Sequence, residues 1–321
     1  MTLKFWTVAI LFLAASSCGL AEGNGKTKPF RRLVLADESR AKVHYYDSNA
    51  PSACFSIAVE KPVWDLKRVS DGRYRIVCHK GFMIVDLPRR KVIETFRHPA
   101  LDEVTAICDL PDGGFVASVN PREGELKGKA ILVLRFSKDR KLLSSHPFRG
   151  IFYARSMTRL NNGELLLAQE HGFTRGRLPD RDGDGVILQN FKQPAGRNLF
   201  EVEPARDGNG YWAGTGYGAQ LVRFAKDGSV VSVWQAPPAD GLKSVFYAQP
   251  QELPNGHVYI ANWTGHGAQD SRKGWQVIEF DETGKVVWTL HDPETYGSVS
   301  GVIVLDSPDL TDHFATRSSN E

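Results

Sequence analysis

A polar turn ending in glycine recurs along this chain: Ser70-Asp71-Gly72, Pro111-Asp112-Gly113, Asn161-Asn162-Gly163, Arg206-Asp207-Gly208 and Pro254-Asn255-Gly256. Asp-Gly and Asn-Gly supply the positive φ angles of a tight hairpin. Successive turns lie about 40–50 residues apart, the period of one blade of a β-propeller. A chain built this way must stack short antiparallel sheets around an axis, because one hairpin pair cannot bury both of its faces alone.

Short strand patterns flank each turn. Tyr74-Arg75-Ile76-Val77, Phe115-Val116-Ala117-Ser118, Leu165-Leu166-Leu167-Ala168 and Val258-Tyr259-Ile260-Ala261 follow it as second strands. Third strands come next, such as Phe82-Met83-Ile84-Val85, Ile131-Leu132-Val133-Leu134 and Gln276-Val277-Ile278-Glu279-Phe280. A second turn, Lys226-Asp227-Gly228 or Glu282-Thr283-Gly284, leads into a fourth. The pattern predicts an all-β propeller of about six four-stranded blades, five of them beginning near Trp64, Val104, Arg155, Asn198 and Phe246. The sixth is split. Leu33-Val34-Leu35-Ala36 lacks a first strand, and Val302-Ile303-Val304-Leu305 is an orphan, so the two ends should share one blade and close the ring. The unit at Arg155 is irregular; Val186-Ile187-Leu188 is read as its third strand, and its fourth has no assignment. The predicted organisation is a leader over 1–21, the propeller over 30–306 and a polar tail over 307–321.

The stretch Ile278 to Trp288 runs apolar strand, Asp281, Thr283-Gly284-Lys285, strand, Trp288. It resembles the repeat of the quinoprotein (PQQ-like) propellers, and Ala225 to Trp234 is a looser copy. The resemblance implies the fold. Quinone-dependent alcohol dehydrogenases carry an adjacent Cys-Cys pair, which this sequence lacks, so no PQQ is expected.

Lys4, the apolar run Phe5–Ala15 and the small residues that follow have the make-up of a secretory leader, too short to span a bilayer. Ala15-Ser16-Ser17-Cys18 resembles a bacterial lipobox, while Gly19-Leu20-Ala21 suits ordinary signal cleavage; either way the expectation is an extracytoplasmic protein, with lipid on Cys18 as its only membrane link. Lys+Arg total 40 against 37 Asp+Glu, a balance without the basic excess that nucleic-acid binding needs. Cys54, Cys78 and Cys108 each sit in an apolar stretch and read as buried small hydrophobes.

In a propeller the loops after each second strand, and those entering each first strand, gather on one face. That places Asp37, His79, Asn120, Arg155, Glu170, Asn198, Tyr247, Gln249, Asn262 and Trp263 on a polar rim. Asn262-Trp263-Thr264-Gly265-His266 sets a stacking ring beside hydrogen-bonding groups, a combination suited to saccharides or other polyols. Asp180, Asp182 and Asp184 alternate in a glycine-containing turn, a spacing that suits Ca²⁺, with a structural role in the longest rim loop. The turn resembles the start of an EF-hand loop, but Phe191 stands where the bidentate Glu would be.

No Gly-x-Ser-x-Gly elbow, HExxH, Walker loop or zinc spacing is present. Two readings remain. The first is a ligand-binding or scaffold module whose partner is a small molecule, a saccharide or another extracytoplasmic protein. The second is an enzyme on the same face, with His79, His171, His266 or Glu170 as acid, base or nucleophile. Its form would be a metal-assisted hydrolase or lactonase resembling the six-bladed gluconolactonase-type propellers, with Asp37, Asn120, Glu170 and Asn262 as metal-ligand equivalents by residue type.

Overall fold

Each of the five turn glycines adopts the positive φ that its sequence requires, from 67° at Gly72 to 87° at Gly163. The computed structural model describes residues 31–192, 199–267 and 269–305. The leader with Cys18, the tail from residue 306 and Asn198 lie outside the described residues. Within them the chain forms β1 (Arg32–Asp37), β2 (Lys42–Asp47) and β3 (Phe55–Ala58), then five complete blades. Blade 2 is β4 (Asp65–Ser70), β5 (Arg73–Cys78), β6 (Gly81–Asp86) and β7 (Lys91–Arg97). Blade 3 is β8 (Val104–Asp109), β9 (Phe115–Val119), β10 (Ala130–Phe136) and β11 (Leu142–Arg149). Blade 4 is β12 (Ala154–Arg159), β13 (Leu165–Gln169), β14 (Gly172–Arg177) and β15 (Val186–Lys192). Blade 5 is β16 (Glu201–Pro204), β17 (Gly210–Gly214), β18 (Leu221–Ala225) and β19 (Val230–Trp234). Blade 6 is β20 (Tyr247–Glu252), β21 (Val258–Asn262), β22 (Val277–Phe280) and β23 (Val286–Leu290), followed by β24 (Val299–Val304).

The ring closes as the split sixth unit requires. β24 is the innermost strand of blade 1, antiparallel to β1, with Leu33 opposite Val304 and Leu35 opposite Val302. Six four-stranded sheets result. Apolar clusters fill the spaces between them; one joins Leu33, Leu35 and Val302 of blade 1 to Tyr259, Ala261 and Val277 of blade 6. The helices among the described residues are three short 3-10 turns, and none is long and apolar enough to cross a membrane.

Blade 4 differs from its sequence reading. Val186-Ile187-Leu188 opens the fourth strand, not the third. The third is Gly172-Phe-Thr-Arg-Gly-Arg, which shows no apolar run because its glycines serve close approach. A Cβ on Gly172 would sit 1.8 Å from the Phe191 carbonyl oxygen, and one on Gly176 would sit 2.7 Å from the Phe148 ring.

Neighbouring blades are joined by a repeated contact. From blade 2 to blade 5, an aromatic side chain near the far end of the outer strand meets the turn between the third and fourth strands of the next blade. Phe148 of β11 lies where a Cβ on Gly185 would reach 2.1 Å from its ring; Phe191 meets Gly228 at 2.6 Å and Trp234 meets Gly284 at 2.4 Å in the same sense. In blade 3 the turn residue is Arg140, at φ 63°, with its guanidinium 6.0 Å from the centre of the Phe96 ring. At the seam Arg31, which leads into blade 1, covers the blade 6 ring Trp288 at 4.7 Å.

Candidate functional site

The first strand of every blade runs from a loop face to a turn face. The loop face collects the loops after each second strand and those entering each first strand; the Asp-Gly and Asn-Gly turns lie opposite. His79 and Glu170-His171 occupy exposed two-residue hairpins, β5 to β6 and β13 to β14, which join the middle strands of blades 2 and 4. Arg155 stacks over the Tyr153 ring at 4.9 Å.

Several expected rim residues instead fasten the ring together. The Asn120 amide nitrogen donates to the Ala154 carbonyl and its oxygen accepts from the Ala154 N–H, both at 3.0 Å, stapling blade 3 to blade 4. Asn262 is fully buried. Its oxygen accepts from Val245 and Phe246 N–H groups, and its nitrogen donates to the carbonyls of Lys243 and Trp275. Tyr247 is also buried, its hydroxyl accepting from Ala236 N–H and bonded to Ser244. Gln249 crosses the inner strand of blade 1, donating to Leu66 of blade 2 and accepting from Val302 N–H. Gly301 makes room: a Cβ there would lie 2.7 Å from the Gln249 oxygen. A buried amide left unpaired is costly, so these residues brace the rim and do not line it.

Asp37 behaves similarly. It accepts from His44 Nε2 at 3.0 Å, Gly297 N–H at 2.6 Å and Arg40 N–H at 3.0 Å. Burial pushes its carboxyl up, but the His44 bond and the two backbone donors outweigh burial and hold it below the ordinary carboxylate range. An ionised Asp37 draws a proton to His44 Nε2, and His44 Nδ1 is bonded to Ser56 Oγ at 2.7 Å. This chain of bonds laces the strands of blade 1 to the loop before β24.

Also accessible on the loop face, beside the exposed hairpins and the exposed Phe152 and Tyr153, is an aromatic group where blades 5, 6 and 1 meet. Trp263 is half-buried and contacts Phe246 edge-on at 5.3 Å, Tyr217 at 6.4 Å and His266 at 4.6 Å between ring centres. Tyr217 is 58% exposed. Glu38 accepts from Trp263 Nε1 at 3.3 Å and from His266 Nδ1 at 3.1 Å. The site therefore offers ring faces beside a carboxylate already aligned by two donors. Tyr217 escaped the sequence reading because the second strand of its blade ends on the bland Gly214-Thr215.

The channel holds a second polar cluster that the sequence reading missed. Lys67 of blade 2 reaches across to Glu201 and Glu203 of blade 5, and Thr158 of blade 4 donates to Glu203. Burial opposes the charge on Lys67, but the two glutamates hold its ammonium well above its ordinary range. Burial pushes the Glu201 carboxyl well up, with Lys67 opposing, and burial likewise raises Asp65. The available signal was charge at alternate positions of two first strands, Asp65-x-Lys67 and Glu201-x-Glu203, which puts each pair on one side of its strand.

The Asp180–Asp184 loop joins β14 to β15, which places it on the turn face and not in the rim, contrary to the sequence reading. The error follows from the strand shift in blade 4. Arg149 donates to Asp184 at 2.7 Å, and His146 bonds the Gly183 carbonyl, so the loop is strapped to blade 3. Among the described residues no three His, Cys, Asp or Glu side chains gather in a way that could hold a metal ion. Asp37, Asn120 and Asn262 are committed to the protein itself, so the donor set expected for a metal-assisted hydrolase does not fit. Cys78 and Cys108 are free and buried; burial pushes their thiols up to about 11 and about 12.

Similarity to solved structures extends over most of the chain. A protein of unknown function from Bacteroides caccae superposes with a TM-score of 0.67 at 20% identity, covering 86% of this chain and 99% of its own. A streptogramin B lyase gives 0.53 at 14% identity over 82% and 80%, and a luciferin-regenerating enzyme gives 0.55 at 11% over 85% and 87%. At such identities the likeness shows the six-bladed propeller fold alone. No family model and no curated protein sequence matches the chain.

Proposed function

We propose that this protein is an exported ligand-binding propeller whose loop face takes a saccharide or related polyol. The observation that carries the proposal is the exposed ring of Tyr217 beside Trp263, with Glu38 and His266 within hydrogen-bonding reach of the same surface. Sugar rings present C–H faces to aromatic planes and hydroxyls to carboxylate and imidazole groups, and the cluster supplies both kinds of surface. The binding reading is favoured over metal-assisted hydrolysis because three of the four oxygen donors named for such chemistry, Asp37, Asn120 and Asn262, are engaged within the ring, and the fourth, Glu170, stands in an exposed hairpin.

The test is a calorimetric screen of mono- and oligosaccharides against the wild type, Tyr217→Ala and Trp263→Ala. One lost ring contact of about 1 kcal/mol weakens binding about fivefold. Tyr217→Ala should change folding stability by less than about 1 kcal/mol, since its ring is mostly in solvent. A panel in which nothing binds the wild type, or binding indifferent to both substitutions, ends the proposal. N-terminal sequencing of the mature protein tests export: a chain still beginning at Met1 contradicts it.

A further inference from the structure

A cleft of about 550 Å³ opens on the turn face between blades 3 and 4, remote from the aromatic group. Its volume falls within the range of small-molecule sites, about 300–1,000 Å³. Its floor is apolar, with Val116, Leu165 and Leu178, and its wall carries Arg135, Arg159 and Arg177. The loop continuing from Leu178 is tied through Gly183 and Asp184 to His146 and Arg149 of blade 3.

The charges of this cleft are unevenly matched. Arg135 pairs with Asp112 at 2.8 Å, and Arg175 turns to Glu164 at 3.5 Å, so both of those acids are answered. The side chains of Arg159, half-buried at the end of β12, and Arg177, exposed at the end of β14, make no hydrogen bond or ion pair among the described residues. Asp180 at the lip is the only other acid of the lining, so its three arginines and three acids balance, and Arg175, which stands behind Glu164 outside the lining, leaves Arg159 and Arg177 facing one acid. A guanidinium held part-way out of water beside an apolar floor, as that of Arg159 is, gains most from a planar acid group that it can meet through two N–H donors.

We propose that this cleft is a second binding site, for a small organic anion. Its carboxylate, sulfate or phosphate group lies between Arg159 and Arg177, and its apolar body rests on Leu165 and Leu178. The proposal is independent of the loop-face site, since no residue is shared.

The experiment uses benzoate, phenyl sulfate and phenyl phosphate at about 10 mM as probes, with benzyl alcohol as the neutral counterpart and inorganic phosphate as the anion without a body. The readouts are the thermal midpoint and two-dimensional amide NMR. At least one aryl anion should raise the midpoint and shift amides of the Asn161–Leu165 and Arg177–Leu178 segments. Benzyl alcohol should do neither, and inorganic phosphate should act more weakly. Arg159→Gln and Arg177→Gln should each weaken binding about tenfold, the loss of one charge-assisted contact. Both variants should melt like the wild type without probe, because no internal partner is lost. No response to any aryl anion, equal responses to benzyl alcohol or inorganic phosphate, or undiminished binding in both variants would overturn the assignment.

Discussion

Replacing Lys67 by methionine keeps the length of the side chain and removes its charge from the channel. The Lys67 side chain is 21% exposed and faces Glu201, at 2% exposure, and Glu203, at 25%. Breaking a buried ion pair from one side costs about 3–5 kcal/mol, because the partner charge is left without compensation. For a domain of this size about 1 kcal/mol corresponds to about 2–4 °C, so the melting temperature at neutral pH should fall by about 6–20 °C. The pH dependence identifies the cause. Burial already pushes Glu201 up and Lys67 opposes it, so losing the lysine raises that carboxyl further. A group whose folded pKa is raised contributes stability that is whole below its unfolded value, here 4.5, and is lost as pH rises through the folded value. The variant should therefore be most impaired at neutral pH and approach the wild type as pH falls toward 4.5. Urea denaturation of the wild type, Lys67→Met and Lys67→Met/Glu201→Gln at several pH values measures this, and the double variant should recover most of the loss. A single variant within about 1 kcal/mol of wild type at neutral pH, or a deficit that grows on acidification, would refute the argument.

Three further outcomes are expected. Truncation before Val299 removes β24 with its buried Val299, Val302 and Val304, and should abolish cooperative unfolding of the whole ring; a truncated chain that melts like the full one contradicts closure. Gly284→Ala should cost about 2–3 kcal/mol, since its φ is 86° and its new methyl would meet Trp234. Gly124→Ala, at φ 78° with nothing within 4 Å, should cost only about 1 kcal/mol, and equal costs by chemical denaturation would remove the packing argument. Calcium at Asp180, Asp182 and Asp184 remains a proposal from spacing, and it would have to draw Asp184 away from Arg149. Millimolar calcium should then raise the melting temperature, and Asp182→Ala should abolish the rise; an unresponsive wild type discards it.

The architecture was legible because its determinants are local. Asp71-Gly72 and Asn255-Gly256 fix hairpins through their own backbone, and the apolar runs beside them show which strands lie between blades. β14 was missed because its glycines answer to Phe148 and Phe191, one in another blade, and leave no apolar rhythm in the strand itself. The rim was legible as a place but not as a surface. Asn262 and Gln249 look like ligand donors until the carbonyls of Trp275 and Leu66 are found opposite them. The Lys67–Glu201 contact spans 134 residues of sequence, and no local pattern names the partner.

The aromatic contacts from one outer strand to the next turn also govern how blade number can change. Each contact fixes the rotation between two neighbouring blades, and around a closed ring these rotations must sum to a full circle. The six junctions together supply the full turn. An open stack of repeats can gain or lose a member at its end without disturbing the rest. Here, removing one blade would oblige every remaining junction to widen, moving Trp234 off Gly284 and Phe191 off Gly228 together. The close fit at each glycine allows little such adjustment, so blade number is fixed collectively by the angular demand of the ring.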